Sequence, residues 1–315
     1  FTRVGGAAVR GVAKWTGTNW VSVGAAFDGD VNALAVHTDA SGTALYAGGT
    51  FRNIGAAPAR LVARWNGSAW AGVGGSSALS GYGVRAMVSF ADFRGNALWI
   101  GGPYPLSVGG ASSAAVLRWN GSGWSVESGS GSSSYVPVNA MAVVPEGGTN
   151  RLYIGGAPSY PYYGLARWDG SSSWTTVGSP AGTNGTVMTL AAHNDGSGAA
   201  LYVGGDFTTV GTLSARRIAR WNGSAWSAVG AGSDGPVMTL GSLAPGGVSR
   251  LYAGGGFLNL GGAKFLAQWD GSAWSGVGTE QPNDAVMAIA ARATQLYAAG
   301  SFSAVGSTPA SRAAV

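Results

Sequence analysis

Residue types able to do chemistry are sparse in this 315-residue chain, which carries 13 Asp+Glu, 18 Lys+Arg, two histidines and no cysteine. Without cysteine there is no disulfide framework, no thiol nucleophile and no thiolate metal ligand. The two histidines, His37 and His193, lie 156 residues apart and nominate no joint metal site. Asp39 and Asp195 sit in Gly/Ser-rich turns (DASG, NDGSG), and Asp169 and Asp270 in tight Asp-Gly-Ser turns. Aspartate in such settings bonds its own backbone. Asp28, Asp234 and Asp284 fall in other connections. There is no Asp-x-Asp-x-Asp-Gly calcium loop. No pair of carboxylates can be nominated for glycoside hydrolysis. Lys14, Arg64, Arg118, Arg167 and Arg220 each directly precede a tryptophan, as long side chains laid over aromatic surface do. A net charge of +5 is too small and too spread for a nucleic-acid footprint. The sequence names no cofactor and no metal.

Tyrosine is the exception. Five of the 11 tyrosines recur at one spacing, and the other six do not: Tyr82, Tyr104, Tyr135, Tyr160, Tyr162 and Tyr163. All six fall between residues 82 and 163, in Gly-, Ser- and Pro-rich connections. Tyrosine offers rigid amphipathic contact area that suits sugars and protein partners. These six are the candidate ligand-binding residues.

The elements that position them follow from an internal repeat. Twelve of 13 tryptophans form the pairs 15/20, 65/70, 119/124, 168/174, 221/226 and 269/274, with first members 50, 54, 49, 53 and 48 residues apart. Leu-Tyr-x-Gly-Gly or a close variant starts at Leu45, Leu98, Leu152, Leu201, Leu251 and Leu296. An apolar run opening with valine starts at Val31, Val84, Val138, Val187, Val237 and Val286. Each repeat reads as four short strands, A to D, bounded by turn formers. In residues 187–230 these are VMTLAAH, ALYVGGDF, RRIARW and AWSAVG. The Asn-Gly of the C–D connection closes a tight hairpin and brings the paired tryptophans together. The Gly pair after strand B permits close backbone approach or a bulge. His37 and His193 end strand A, where other repeats carry Phe90, Val144, Leu243 or Arg292; a position so variable is structural.

Four antiparallel strands every 50 or so residues predict an all-β, six-bladed β-propeller. The repeats run 31–83, 84–137, 138–186, 187–236 and 237–285, and residues 286–315 with 1–30 form the sixth blade. The last blade is expected to close with strands from both termini. Strand C of that blade is specified twice, by RGVAKW near the start and SRAAV at the end. Either one copy is displaced or the chain belongs to a longer array.

An apolar quartet, Gly-Gly, then an aromatic and a Trp resembles the kelch repeat. ALYVGG followed by RWNGSAWSAVG is similar to it, with Trp221 where kelch units carry tyrosine. The pattern also resembles the propeller of galactose oxidase and the glycine-rich propeller repeats of large proteins secreted by bacteria. The copper centre of galactose oxidase needs a Tyr–Cys crosslink, and this chain has no cysteine. The resemblance implies the fold rather than a ligand.

No apolar stretch is long enough for a membrane span. Four sequons, at Asn66, Asn120, Asn184 and Asn222, are acceptors only in a host that N-glycosylates. Together these readings give the expectation of a non-catalytic extracellular or cell-surface module whose partner is a glycan or a protein. The six loop tyrosines would be its site. A structural repeat that self-assembles in a fibre or coat is the alternative expectation, and an enzyme the least expected.

Overall fold

The computed structural model describes residues 3–4, 7–75, 79–109, 114–127, 137–159, 163–171, 173–310 and 312–314. It is an all-β, six-bladed β-propeller of small antiparallel sheets, with one short 3-10 turn at Pro245–Gly247 among the described residues. Packing divides the chain into two compact bodies: Phe1–Met141 with Asp169–Trp174, and Ala142–Trp168 with Thr175–Val315.

In the first body, the sheet of repeat 1 is ordered A–B–C–D as Val31–Asp39, Gly42–Gly49, Val62–Trp65 and Trp70–Gly72. Repeat 2 follows the same order with Ala86–Asp92, Gly95–Val108, Ala114–Trp119 and Trp124–Val126. Each C–D hairpin places its tryptophans directly opposite one another, Trp65 on Trp70 and Trp119 on Trp124, with ring centroids 5.4 and 5.3 Å apart. The strand-D indole then reaches the preceding blade. Trp70 Nε1 donates to Val23 O at 2.8 Å, and Trp124 Nε1 to Val73 O at 3.3 Å.

The second body repeats this plan. Repeat 4 comprises Thr186–Asn194, Ala199–Asp206, Ile218–Trp221 and Trp226–Ala228. Repeat 5 comprises Val237–Leu243, Arg250–Gly255, Leu266–Trp269 and Trp274–Gly276. The glycine pair of strand B has two separate tasks. The first glycine lies beneath the next blade: a Cβ on Gly204 would come within 2.7 Å of Val237, and one on Gly254 within 2.7 Å of Val286. The second backs onto its own strand A. A Cβ on Gly205 would run into Thr186 O, at the irregularity in register between Val187 and Thr189. The large apolar side chains between blades, Tyr202, Phe207 and Phe257 among them, are fully buried.

In the sixth blade the two copies of strand C have different partners. Strand B (Gln295–Gly300) takes its outer partner from the C-terminal copy of strand C: Ala298 pairs Ala314 and Ala299 pairs Ala313. The N-terminal copy, Ala13–Trp15, pairs with Trp20–Ser22 in a two-stranded sheet of its own. Ala313–Ala314 reaches strand B through a short connection in the same repeat, so its ordering costs less loop entropy than recruiting a strand from the far end of the chain.

Candidate functional site

Four repeats hold their B–C turn with one side chain. The residue three before the strand-A valine accepts two successive backbone N–H groups across 20 or more residues. Asp28 Oδ1 accepts from Arg52 and Asn53 at 2.7 and 3.0 Å. Asn184 Oδ1 accepts from Thr208 and Thr209, Asp234 from Leu258 and Asn259, and Asn283 from Ser303 and Ala304. The sequence reading placed Asp28 and Asp234 in connections without naming these partners. Burial alone would raise the Asp28 carboxyl, but the N–H groups of Asn53 and Arg52 outweigh it and hold Asp28 below the usual range.

Repeats 2 and 3 carry Gly81 and Tyr135 at this position. Tyr135 lies outside the described residues. In repeat 2 the clamp is replaced by main chain. Strand B runs for 14 residues through Val108, and a short strand, Leu79–Ser80, pairs with its far end. Ser80 Oγ and Ser107 Oγ lie 2.6 Å apart, and Leu79 and Leu106 are buried beneath them. Two loop tyrosines are thereby brought together: the rings of Tyr82 and Tyr104 are 5.0 Å apart, tilted by 52°. Both face solvent, at 76% and 53% exposure.

The backbone holds this pair in place. Tyr82 stands between Gly81 and Gly83, with φ of 144° and 145°, a region that residues with a Cβ seldom enter. Tyr104 stands between Pro103 and Pro105, whose rings fix φ and remove two N–H donors. The surrounding Ser80, Gly81, Gly83, Pro103, Pro105 and Ser107 are uncharged. The nearest cation in sequence, Arg85, donates to Asn139 Oδ1 at 3.2 Å. The result is a neutral aromatic ledge. Of the other candidates, Tyr163 is 44% exposed and belongs to the second body, with φ of 49°. Tyr160 and Tyr162, like Tyr135, lie outside the described residues.

At the A–B end of the blades the periodic tyrosines do something the sequence reading missed. Tyr46 Oη donates to Asp39 Oδ2 and Tyr202 Oη to Asp195 Oδ2, each at 2.6 Å, and Tyr153 Oη donates to Glu146. The cations read as lying over aromatics face these carboxylates instead. Arg167 Nη1 is 3.1 Å from Glu146, Arg220 Nε 3.4 Å from Asp195, and Arg64 donates to Ser41 O at 2.9 Å. In repeat 2, Trp99 replaces the tyrosine. There Arg94 bridges Asp92 and Glu127, and Arg118 also reaches Asp92. A constant seven-residue interval from carboxylate to aromatic was the available signal.

These groups are committed to structure. Burial and then the bond to Asp39 push the Tyr46 phenol up to about 12, and the same causes push up Tyr153 and Tyr202. His37 and His193 are buried, which lowers them against the pull of Asp39 and Asp195, and each bonds a serine of the next blade, Ser89 or Ser242. Burial would raise Asp195, but the Ser197 and Tyr202 hydroxyls, the Ser197 N–H and Arg220 hold it at about 2. A depressed carboxylate contributes stability that is complete above its unfolded pKa and lost as pH falls toward the folded one. Asp195→Asn is therefore expected to cost about 1–2 kcal/mol at pH 7. The cost shrinks between about pH 4 and 2, as urea titrations across that range would show. Among the described residues no group of three His, Asp or Glu is placed to hold a metal ion. No described helix is long and apolar enough to cross a membrane.

The sequence matches no family model and no curated protein. Among solved structures it is similar to the GH74 enzyme of Niastella koreensis, with a TM-score of 0.45 and 15% identity, over 80% of this chain and 38% of that one. That neighbour is an enzyme, which runs against the expectation of a non-catalytic module; the likeness itself extends to the fold alone. The lack of an evident nucleophile or acid–base pair in the sequence is too thin a ground for that expectation.

Proposed function

We propose that this chain engages a neutral saccharide on the ledge formed by Tyr82 and Tyr104, in contact with extracellular or cell-surface glycans. The observation that carries this reading is the pair of solvent-facing rings 5.0 Å apart on a backbone fixed by two glycines and two prolines. Tilted exposed aromatics offer faces to the C–H groups of a sugar ring, and their rigidity limits the entropy lost on binding. Uncharged surroundings suit an uncharged ligand. The kelch-like reading of the repeat belongs to the same proposal. It supplies a scaffold whose B–C segments vary while the blades stay constant.

A glycan array followed by calorimetry with the selected oligosaccharide tests it. Tyr82→Ala with Tyr104→Ala is expected to weaken binding at least about tenfold, which corresponds to ~1.4 kcal/mol. Tyr82→Phe, which keeps the ring, is expected to bind as the parent does. Unchanged affinity in the double alanine variant overturns the reading. A reducing-end assay on the same mixtures reads whether hydrolysis accompanies binding.

A further inference from the structure

The four sequons are alike in sequence and unlike in structure. Asn66, Asn120 and Asn222 each open a C–D turn. In each, Oδ1 accepts three hydrogen bonds from the turn. For Asn66 these come from Ser68 N at 2.9 Å, Ser68 Oγ at 3.0 Å and Ala69 N at 2.8 Å. Asn120 and Asn222 repeat the set with Ser122 and Gly123, and with Ser224 and Ala225. With Oδ1 turned inward, Nδ2 is directed away from the turn, and no described group bonds it. All three asparagines are exposed. Asn184 is the reverse. Its Oδ1 clamps the B–C turn and its Nδ2 donates to Thr208 Oγ1 at 2.8 Å.

We infer that Asn66, Asn120 and Asn222 are acceptor sites for N-linked glycans and that Asn184 is closed to modification in the folded chain. The donor class is a glycan carried on a lipid pyrophosphate. Asparagine Nδ2 bonds to the anomeric carbon, and the bond from that carbon to the pyrophosphate oxygen breaks. The lipid pyrophosphate leaves with the electron pair, and the Nδ2 proton passes to a base of the transferase. Strand C separates these turns from the B–C end of a blade. In repeat 2 its six residues, Ala114–Trp119, put Asn120 about 20 Å along the sheet from the ledge. Glycans here would leave Tyr82 and Tyr104 clear.

Repeat 5 supplies an internal control. Asp270 makes the same three bonds, to Ser272 N, Ser272 Oγ and Ala273 N, each at 2.8 Å, but has no amide nitrogen to offer. The test is incubation of the folded chain with a purified oligosaccharyltransferase and lipid-linked glycan, read by glycopeptide mass spectrometry. Modification is expected at Asn66, Asn120 and Asn222 and not at Asn184, and D270N is expected to gain a further site at position 270. The inference is overturned if the turn asparagines stay bare while a short acceptor peptide in the same tube is modified. It is equally overturned if Asn184 is modified as readily as they are, or if D270N gains nothing.

Discussion

Asp92→Ala is expected to destabilise the protein by about 3–5 kcal/mol in urea unfolding. The Asp92 side chain is fully buried and receives Arg94 Nε at 2.9 Å, Arg94 Nη2 at 2.6 Å and Arg118 Nη2 at 3.4 Å. Removing it leaves the Arg118 side chain, 5% exposed, with the carbonyl of Gly95 as its remaining acceptor among the described residues, at 3.1 Å. A buried cation without a counter-charge is the costly outcome, because the desolvation of the guanidinium is no longer offset. Arg94 is cushioned by about a third exposure and by two bonds to Glu127, at 3.0 Å each. Asp92→Asn, which keeps an acceptor but not the charge, is expected to lose less than the alanine variant. A loss under about 1 kcal/mol for Asp92→Ala would mean that the network is solvated and adds little.

Gly205→Ala is expected to cost about 3 kcal/mol, at the upper end of the range for overpacking. Its new methyl would run into Thr186 O and come within 3.0 Å of Val187 Cα, so backbone of the same sheet has to move. Gly204→Ala is the informative neighbour, expected to cost about 1–2 kcal/mol. Its methyl meets side-chain atoms, Val237 Cγ1 at 2.7 Å and Thr189 Cγ2 at 2.8 Å, which can rotate or shift. The natural sequence makes the equivalent of this second change once, at Ala299, where the methyl is exposed. Paired denaturation curves for the two variants check the order. If Gly204→Ala proves the costlier, blade-to-blade packing rather than the bulge sets the requirement for glycine.

The blades were legible because their markers answer to local rules. Asn-Gly closes the C–D hairpin whatever surrounds it, and the paired tryptophans must then face each other. The Gly pair was legible as a close approach, though not as two approaches to different neighbours. Long-range side-chain bonds were not legible. Asp28 looks like a turn residue until the B–C turn, 24 residues later, folds back over it. The five cations that precede a tryptophan read as lying on aromatic surface because alternation gives a face and not a partner; Glu146 and Asp195 are brought to Arg167 and Arg220 by a different turn. The closing strand was undecidable from pattern, since RGVAKW and SRAAV are both adequate strands, and chain connectivity rather than composition favours the second. The uneven placement of tyrosine singled out six residues, two of which, Tyr82 and Tyr104, form the proposed ledge. That their rings meet depends on Leu79–Ser80 pairing with Ser107–Val108, which no spacing rule announces.

The single-residue clamp on the B–C turn has a consequence for how such a chain can change. One acceptor side chain fastens such a loop beside main-chain bonds such as Asp28 N to Asn53 O, and what the loop displays lies in a separate stretch 20 or more residues away. Where repeat 2 carries glycine at position 81, the pairing of Leu79–Ser80 with Ser107–Val108 holds the segment instead. The B–C segment of repeat 2 thus differs while its sheet keeps the A–B–C–D order of repeat 1. Fastening and display are thus separate parts of the repeat, and Tyr82 and Tyr104 stand where the fastening is of a different kind.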